Sequence, residues 1–134
     1  EALDRYVDST PALTQIDQSE SLDDAVNKLL SHAIDAATDP VGERGCMISS
    51  GMIECGEGHV DLARELTERR KMMRDAIAVQ LEAWLERDRA AFLAHYLVTF
   101  LQGLSIQARD GVPPEDLRRI AAEVVAGVKL QHRE

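Results

Sequence analysis

Few side chains in this sequence have the type and spacing that catalysis or metal binding requires. The chain has four histidines, and none has a glutamate three residues before it, the pairing that helical di-iron sites use. Cys55 and His59 are four residues apart, but the glycines at 56 and 58 disfavour the regular helix that would bring both onto one metal ion. Gly-x-Ser-x-Gly elbows and glycine-rich phosphate loops are also missing from the sequence. We therefore expect no catalytic residue, no metal site and no cofactor.

The residue types that remain suit the binding of an apolar or amphipathic small molecule. Pockets for such molecules are lined mostly by apolar side chains with a few polar groups, and methionine adapts to irregular cavities. For any one apolar residue, ordinary core packing is the default explanation. The candidate pocket residues are Met52, Cys55, Arg70, Met73, Ile77, Trp84, Tyr96 and Phe100.

Arg70 is the charged member of this set, and the helical wheel places it close to an apolar stripe. Its guanidinium could pair with an anionic ligand. Alternatively, its aliphatic stem could lie along the apolar surface with the charge in solvent, which is the commoner arrangement for this residue type. The sequence leaves the same choice between pocket and solvent open for His95 and Tyr96.

Composition predicts one all-α domain to hold these residues. The 134 residues suffice for a single core, and a content of 45% hydrophobic and 29% charged residues is typical of folded globular proteins. Alanine, leucine, glutamate and arginine dominate, which favours helix. No apolar run reaches the roughly 18 residues of a membrane span. The net charge of −9 argues against nucleic-acid binding by this chain alone, because phosphate contacts need a basic surface.

Local signals divide the chain into helices. Residues 1–7 are expected to be the last turns of a helix that begins upstream, interrupted by Pro11. Ser21 is the expected N-cap of a helix that stops near Asp39 and Pro40. A short apolar segment from Cys46 to Cys55 precedes a long helix, expected from about His59 to about Arg87. Asp88 is the expected cap of the next helix, which Gly111 ends, and Pro114 starts the last one.

The last two helices are apolar on more sides than one small chain can cover. One face of the helix after Asp88 carries leucines that suit a core, and a second face is also apolar. A second copy of the same hairpin would cover that face in an intermolecular four-helix bundle. The predicted interface residues are Phe92, Tyr96, Gly103, Ile106, Leu117, Ile120, Ala121, Val124, Val125 and Val128.

Several stretches resemble the TetR family of transcriptional regulators. They are Leu97, the run Leu101-Gln102-Gly103-Leu104, Ala108-Arg109, Gly111 and Glu115-Asp116-Leu117, with Gly45-Cys46 and Tyr6 through Leu13 upstream. Pro113 departs from the pattern, since a capping serine or threonine is usual there. The resemblance covers residues 1–134 as the effector-binding and dimerisation half of such a regulator. It implies a homodimer, a small-molecule effector that releases a repressor, and operator DNA bound through a helix-turn-helix domain before Glu1.

The two cysteines give an expectation about location. Cys46 and Cys55 would lie on opposite sides of a helix and too far apart for a disulfide, so we expect free thiols in a reducing cytoplasm. Two other interpretations stay open. One is a helical dimerisation or adaptor module with a filled core and no ligand. The other is a small all-α enzyme using Arg70, Glu54 or His95, although few polar groups converge at helical spacing.

Overall fold

The computed structural model describes residues 19–39 and 60–132, and every regular element in these ranges is an α-helix. We number the described helices α1 (Leu22–Ala37), α2 (Val60–Leu81), α3 (Arg87–Arg109) and α4 (Pro114–Gln131). The all-α prediction is therefore confirmed for this part of the chain. The expectations for residues 1–7, Tyr6–Leu13 and the Cys46–Cys55 segment concern residues outside the described ranges.

The start of α1 follows the predicted capping pattern. The Ser21 hydroxyl accepts a hydrogen bond from the backbone N–H of Asp24 at 3.2 Å. The Asp24 carboxylate accepts from the backbone N–H of Glu20 and pairs with the Lys28 ammonium, both at 3.1 Å. The Glu20 hydrogen bond and then Lys28 hold the pKa of Asp24 below its ordinary value. The helix ends at Ala37, close to the predicted stop, and Ile34 is among its buried residues.

The prediction that one helix runs to about Arg87 is wrong, because α2 ends at Leu81. After Leu81 the backbone tightens into turns. The N–H groups of Glu82, Ala83 and Trp84 donate to carbonyls three residues back. Neither glycine nor proline marks this break, so the apolar spacing continues through it unchanged. The next helix begins at Arg87, and Glu86 rather than Asp88 occupies its N-cap position.

The turn between α3 and α4 has the predicted chemistry. Gly111 has φ +95°, in the left-handed region where a side chain is strained. The backbone N–H of Val112 bonds to the Gln107 carbonyl at 3.0 Å and closes the turn. Pro114 begins α4, and the acidic residues 115 and 116 lie in its first turn, where they suit the helix dipole.

The described helices form two layers. The outer layer is the antiparallel pair α3 and α4, and α1 and α2 lie against its inner side, α1 on both helices and α2 on α3. An exposed ion pair between Arg118 and Asp35, at 3.0 Å, links α4 to α1. The core lies between the layers, and its largest fully buried side chains are Val26, Leu30, Ile34, Ile77, Leu81, Leu97, Val98 and Leu117.

Candidate functional site

The inner stripe of α2 buries a cationic side chain among apolar residues. Leu66, Arg70 and Ile77 share this stripe, and Arg70 is only 7% exposed. Of the two alternatives for Arg70, the one with its charge in solvent does not fit this burial, and its pairing with a ligand stays a prediction. Its Nη2 donates to the Thr67 hydroxyl at 3.0 Å, and this is not its only interaction. A guanidinium at this depth is desolvated, so its interactions with acceptors are stronger than at the surface.

A buried amide oxygen lies on the same helix, on a half-buried residue about 15 Å along the axis from Arg70. The Gln80 side-chain oxygen is buried and has no hydrogen-bond partner. Leaving such an acceptor unpaired costs about 1–3 kcal/mol of folding free energy. The sequence places Gln80 at the edge of the apolar stripe but gives no sign that its oxygen is buried without a partner.

The predicted pocket residues divide between two sides of the molecule. Arg70, Met73 and Ile77 lie together on the inner stripe of α2, and Trp84 is half-buried in the turn that follows. Tyr96 and Phe100 line grooves on the outer layer instead. Met52 and Cys55 lie outside the described residues. The structure thus brings three of the predicted residues onto one stripe and separates two others from it.

The outer layer presents an apolar strip on α3. Phe92 is 74% exposed and Tyr96 is 46% exposed, while Gly103 is exposed and Ile106 half-buried. These four residues make the second apolar face that the sequence predicts. Adjacent exposed aromatic rings are more typical of interaction surfaces than of a surface that stays in water.

The larger groove of the outer layer lies where α3 begins and α4 ends. It has a volume of about 530 Å³, with walls formed by Phe92, Leu93 and Tyr96 from α3 and Gly127 and Val128 from α4. At its rim, Arg89 Nη2 lies 3.2 Å from His132 Nδ1, which joins the two helix ends. Burial and then the charge of Arg89 lower the pKa of His132, and the contact suits a neutral ring that accepts at Nδ1.

A second, smaller groove lies further along the same helix pair. It has a volume of about 170 Å³, and Phe100 and Gly103 from α3 face Leu117 and Ile120 from α4 across it. A Cβ built on Gly103 would meet nothing within 4 Å, and the same is true of Gly127 in the larger groove. The packing of this chain alone therefore does not require glycine at either position.

The predicted interface residues on α4 fall on different sides of that helix. Leu117, Ala121, Val124 and Val128 are buried in the chain's own core, and Val125 packs against that core. Ile120 is 43% exposed beside the smaller groove. Arg89, Thr99 and Gln107, which the sequence did not single out, lie with it along the grooves. Helical spacing from Phe92 and Gly103 would have found them.

The described ranges, residues 19–39 and 60–132, contain neither a metal-binding cluster nor a helix that could span a membrane. No group of three or more histidine, cysteine, aspartate or glutamate side chains in these ranges is arranged to hold a metal ion. No helix in the same ranges combines the length and apolar character needed to cross a membrane.

Comparison with known proteins gives the fold. No protein-family model matches the chain, and no curated protein sequence does. Among solved structures, it is similar to the TetR family transcriptional regulator CifR, a cysteine mutant complexed with 26-bp double-strand operator DNA. The TM-score is 0.82 at 20% identity, over 93% of this chain and 69% of that one. The chain has a TetR-like fold. The family resemblance seen in the sequence is therefore confirmed at the level of this TetR-like fold.

Proposed function

We propose that this chain is the ligand-sensing and dimerisation domain of a TetR-like transcriptional regulator. The observation that carries the proposal is the exposed apolar strip of α3 in a chain with a TetR-like fold. A largely exposed Phe92 beside Tyr96 is unfavourable in water and becomes favourable when a second copy covers it. In the proposed homodimer, each copy places its outer layer against that of the other.

The proposed DNA partner is an operator bound by a helix-turn-helix head of the intact regulator. The net charge of −9 on this chain makes a separate basic head necessary for that step. Two heads on a homodimer would read half-sites about 34 Å apart, one turn of DNA. The similar structure is itself a complex with operator DNA, which supports this assignment.

The proposed effector site is the inner side of α2, in a cytoplasmic repressor that releases DNA when the effector binds. Arg70 supplies a desolvated positive charge, and Met73 and Ile77 supply an apolar wall. This combination suits an amphipathic molecule. The effector shifts the protein between two states only by its difference in affinity for them, about 1–3 kcal/mol. In the intact regulator, Trp84→Ala should weaken induction while operator binding without effector stays unchanged.

A helical dimerisation module without a ligand is the second candidate. The two grooves described above lie on the outer layer, and Ile77 and Leu81 are almost fully buried. Those facts fit a filled interior as well as a pocket. A thermal shift screen of amphipathic molecules separates the two candidates, because a module without a pocket should show no stabilisation by any of them.

The proposal is tested by sedimentation equilibrium of wild type and two matched variants. Phe92→Glu places a charge on the outer strip, and Val79→Glu places the same charge on α2, at a valine that is 67% exposed. We expect Phe92→Glu to be a folded monomer and Val79→Glu to remain a dimer. A dimer that survives Phe92→Glu would locate the interface elsewhere and remove the main support for the proposal.

A further inference from the structure

The residues that line the two grooves show which positions of α4 lie beside which positions of α3. Gly127 and Gln131 of α4 lie beside Phe92 and Tyr96 of α3 in the larger groove. Leu117 and Ile120 lie beside Gly103 and Gln107 in the smaller one. The two helices therefore run antiparallel, and each position on α4 can be assigned to a level along α3. Gly127 is level with Tyr96, and Ile120 is level with Gly103.

The exposed features of the strip are arranged evenly about one level. Thr99 is exposed and lines the smaller groove at the end nearer the larger one, and its hydroxyl donates a hydrogen bond to the His95 carbonyl of its own helix. Tyr96 and Gly103 are nearly equidistant from the level between Thr99 and Phe100. Phe92 and Ile106 also flank that level at nearly equal distances. A surface that is nearly symmetric about one level can match a copy of itself turned by 180°.

A large residue on one side of this level is matched by a small residue at the same distance on the other side. Tyr96 projects an exposed ring on one side, and Gly103 leaves open space on the other, where an added Cβ would have no neighbour within 4 Å. A glycine within a helix costs about 1 kcal/mol relative to alanine. A partner's ring packed on Gly103 would need the space that a side chain at this position would fill. The packing of the single chain does not need that space.

Charges at the two ends of the strip are also complementary. Arg89 and Asp88 both line the larger groove at the end where α3 begins. At the opposite end are the exposed carboxylates of Asp110 and Asp116, the latter one turn before Ile120 on the same face. A two-fold axis at the level between Thr99 and Phe100 places the acidic end of a second copy over Arg89. By symmetry, the same contact forms between Arg89 of the second copy and the acidic end of the first.

We propose that a second copy docks with its two-fold axis at the level of Thr99 and Phe100. Tyr96 of each copy then lies over the partner's Gly103, and Arg89 of each copy faces the partner's Asp110 and Asp116. This register rests on the proposed homodimer and adds which residues meet in it. It makes Thr99 the residue that meets its own counterpart.

Disulfide trapping of the full chain tests the register. Thr99→Cys places a thiol beside the axis, where its two copies fall within the roughly 7 Å between Cα atoms that a disulfide allows. Gln107→Cys is the matched control, since it is exposed in the same strip but would lie about 22 Å from its own counterpart. After mild copper-catalysed oxidation, we expect a covalent dimer from Thr99→Cys and none from Gln107→Cys or wild type, which controls for Cys46 and Cys55.

The outcomes separate the register from the dimer itself. A wild-type protein that sediments as a monomer would remove both the proposed homodimer and this register. A wild-type dimer in which Gln107→Cys crosslinks, or in which Thr99→Cys does not, would leave the dimer and overturn the register.

Gly103→Ala gives a second measurement that does not depend on oxidation. The added methyl meets nothing in the single chain, so the variant should fold with an unchanged or higher Tm as a monomer. Against the partner's Tyr96 it is an overpacking change, and we expect the dimer dissociation constant to rise about tenfold. An unchanged or lower dissociation constant would contradict the register.

Discussion

The inner side of α2 and the outer strip of α3 depart from ordinary packing in opposite ways. The inner stripe buries Arg70 and leaves the Gln80 oxygen without a partner, whereas the outer strip exposes Phe92 and Tyr96. The unpaired Gln80 oxygen and the exposed aromatic rings both cost free energy in the isolated chain. We propose that an effector on the inner side and a second copy on the outer side reduce these two costs.

The largest expected effect is on the free energy of unfolding, and it differs between a buried and an exposed residue of α3. Leu97 is fully buried, so Leu97→Ala should lower the free energy of unfolding by roughly 2–5 kcal/mol at every protein concentration. Phe92→Ala should lower it only at concentrations where the dimer forms, because Phe92 is exposed in the single chain. Urea unfolding over a hundredfold range of concentration measures both. If both variants lose the same free energy of unfolding at all protein concentrations, the buried and exposed faces of α3 do not differ as proposed.

A smaller effect is expected at the turn that joins the two outer helices. Gly111→Ala forces a side chain into the left-handed region and should cost about 1–2 kcal/mol. Gly103→Ala, in the helix interior, is the matched control with the opposite expected sign for the monomer. The two variants can be compared by thermal unfolding at low concentration. If Gly111→Ala is neutral, the turn does not constrain the outer layer as described.

The cap of α1 should contribute about 1 kcal/mol to the inner layer. Ser21→Ala removes the acceptor for the Asp24 N–H and should lower the free energy of unfolding by that amount, while Ser21→Asp should largely retain it. Dimerisation should not change in either variant, because α1 lies on the inner side. A shift in the dimer dissociation constant would show that the two layers are coupled.

The smallest effect is a pH dependence of the outer layer. The folded state lowers the pKa of His132 from 6.5, so in the window below 6.5 the unfolded chain binds more protons than the folded one. The stability contributed by this group is therefore present above pH 6.5 and is lost as the pH falls through its folded pKa. Unfolding measured from pH 8 to pH 5 should show this decline in wild type and a smaller one in His132→Gln. Identical profiles would exclude His132 as the source.

The sequence predicts best what depends on neighbours along the chain. The Ser21 cap, the left-handed Gly111 and Pro114 at the start of α4 all act within one turn, and the structure has each as predicted. The sequence does not predict the end of α2, because the break at Leu81 is made by backbone hydrogen bonds without a glycine or proline. Helical spacing predicts which face of α2 carries Arg70. It does not predict that Arg70 is buried, because burial depends on what packs against that face.

The candidate sites were predicted less completely for the same reason. The outer strip of α3 follows from spacing alone, since Phe92, Tyr96 and Gly103 are spaced by four and then seven residues. On α4, the spacing could not decide which of two adjacent flanks meets α1, so residues of the core and of the surface were grouped together. The unpaired oxygen of Gln80 depends on what surrounds it in three dimensions, and spacing along the helix does not describe that.

Trp84 lies in the turn between the inner helix α2 and the outer helix α3, and it is the only tryptophan of the chain. Its half-buried indole therefore gives the unlabelled protein an intrinsic fluorescent probe at the junction of the two layers. Emission wavelength and quenching follow the polarity and accessibility around this ring. A displacement of α2 relative to α3, whether caused by an effector or by a second copy, can be followed optically in real time without attaching a dye.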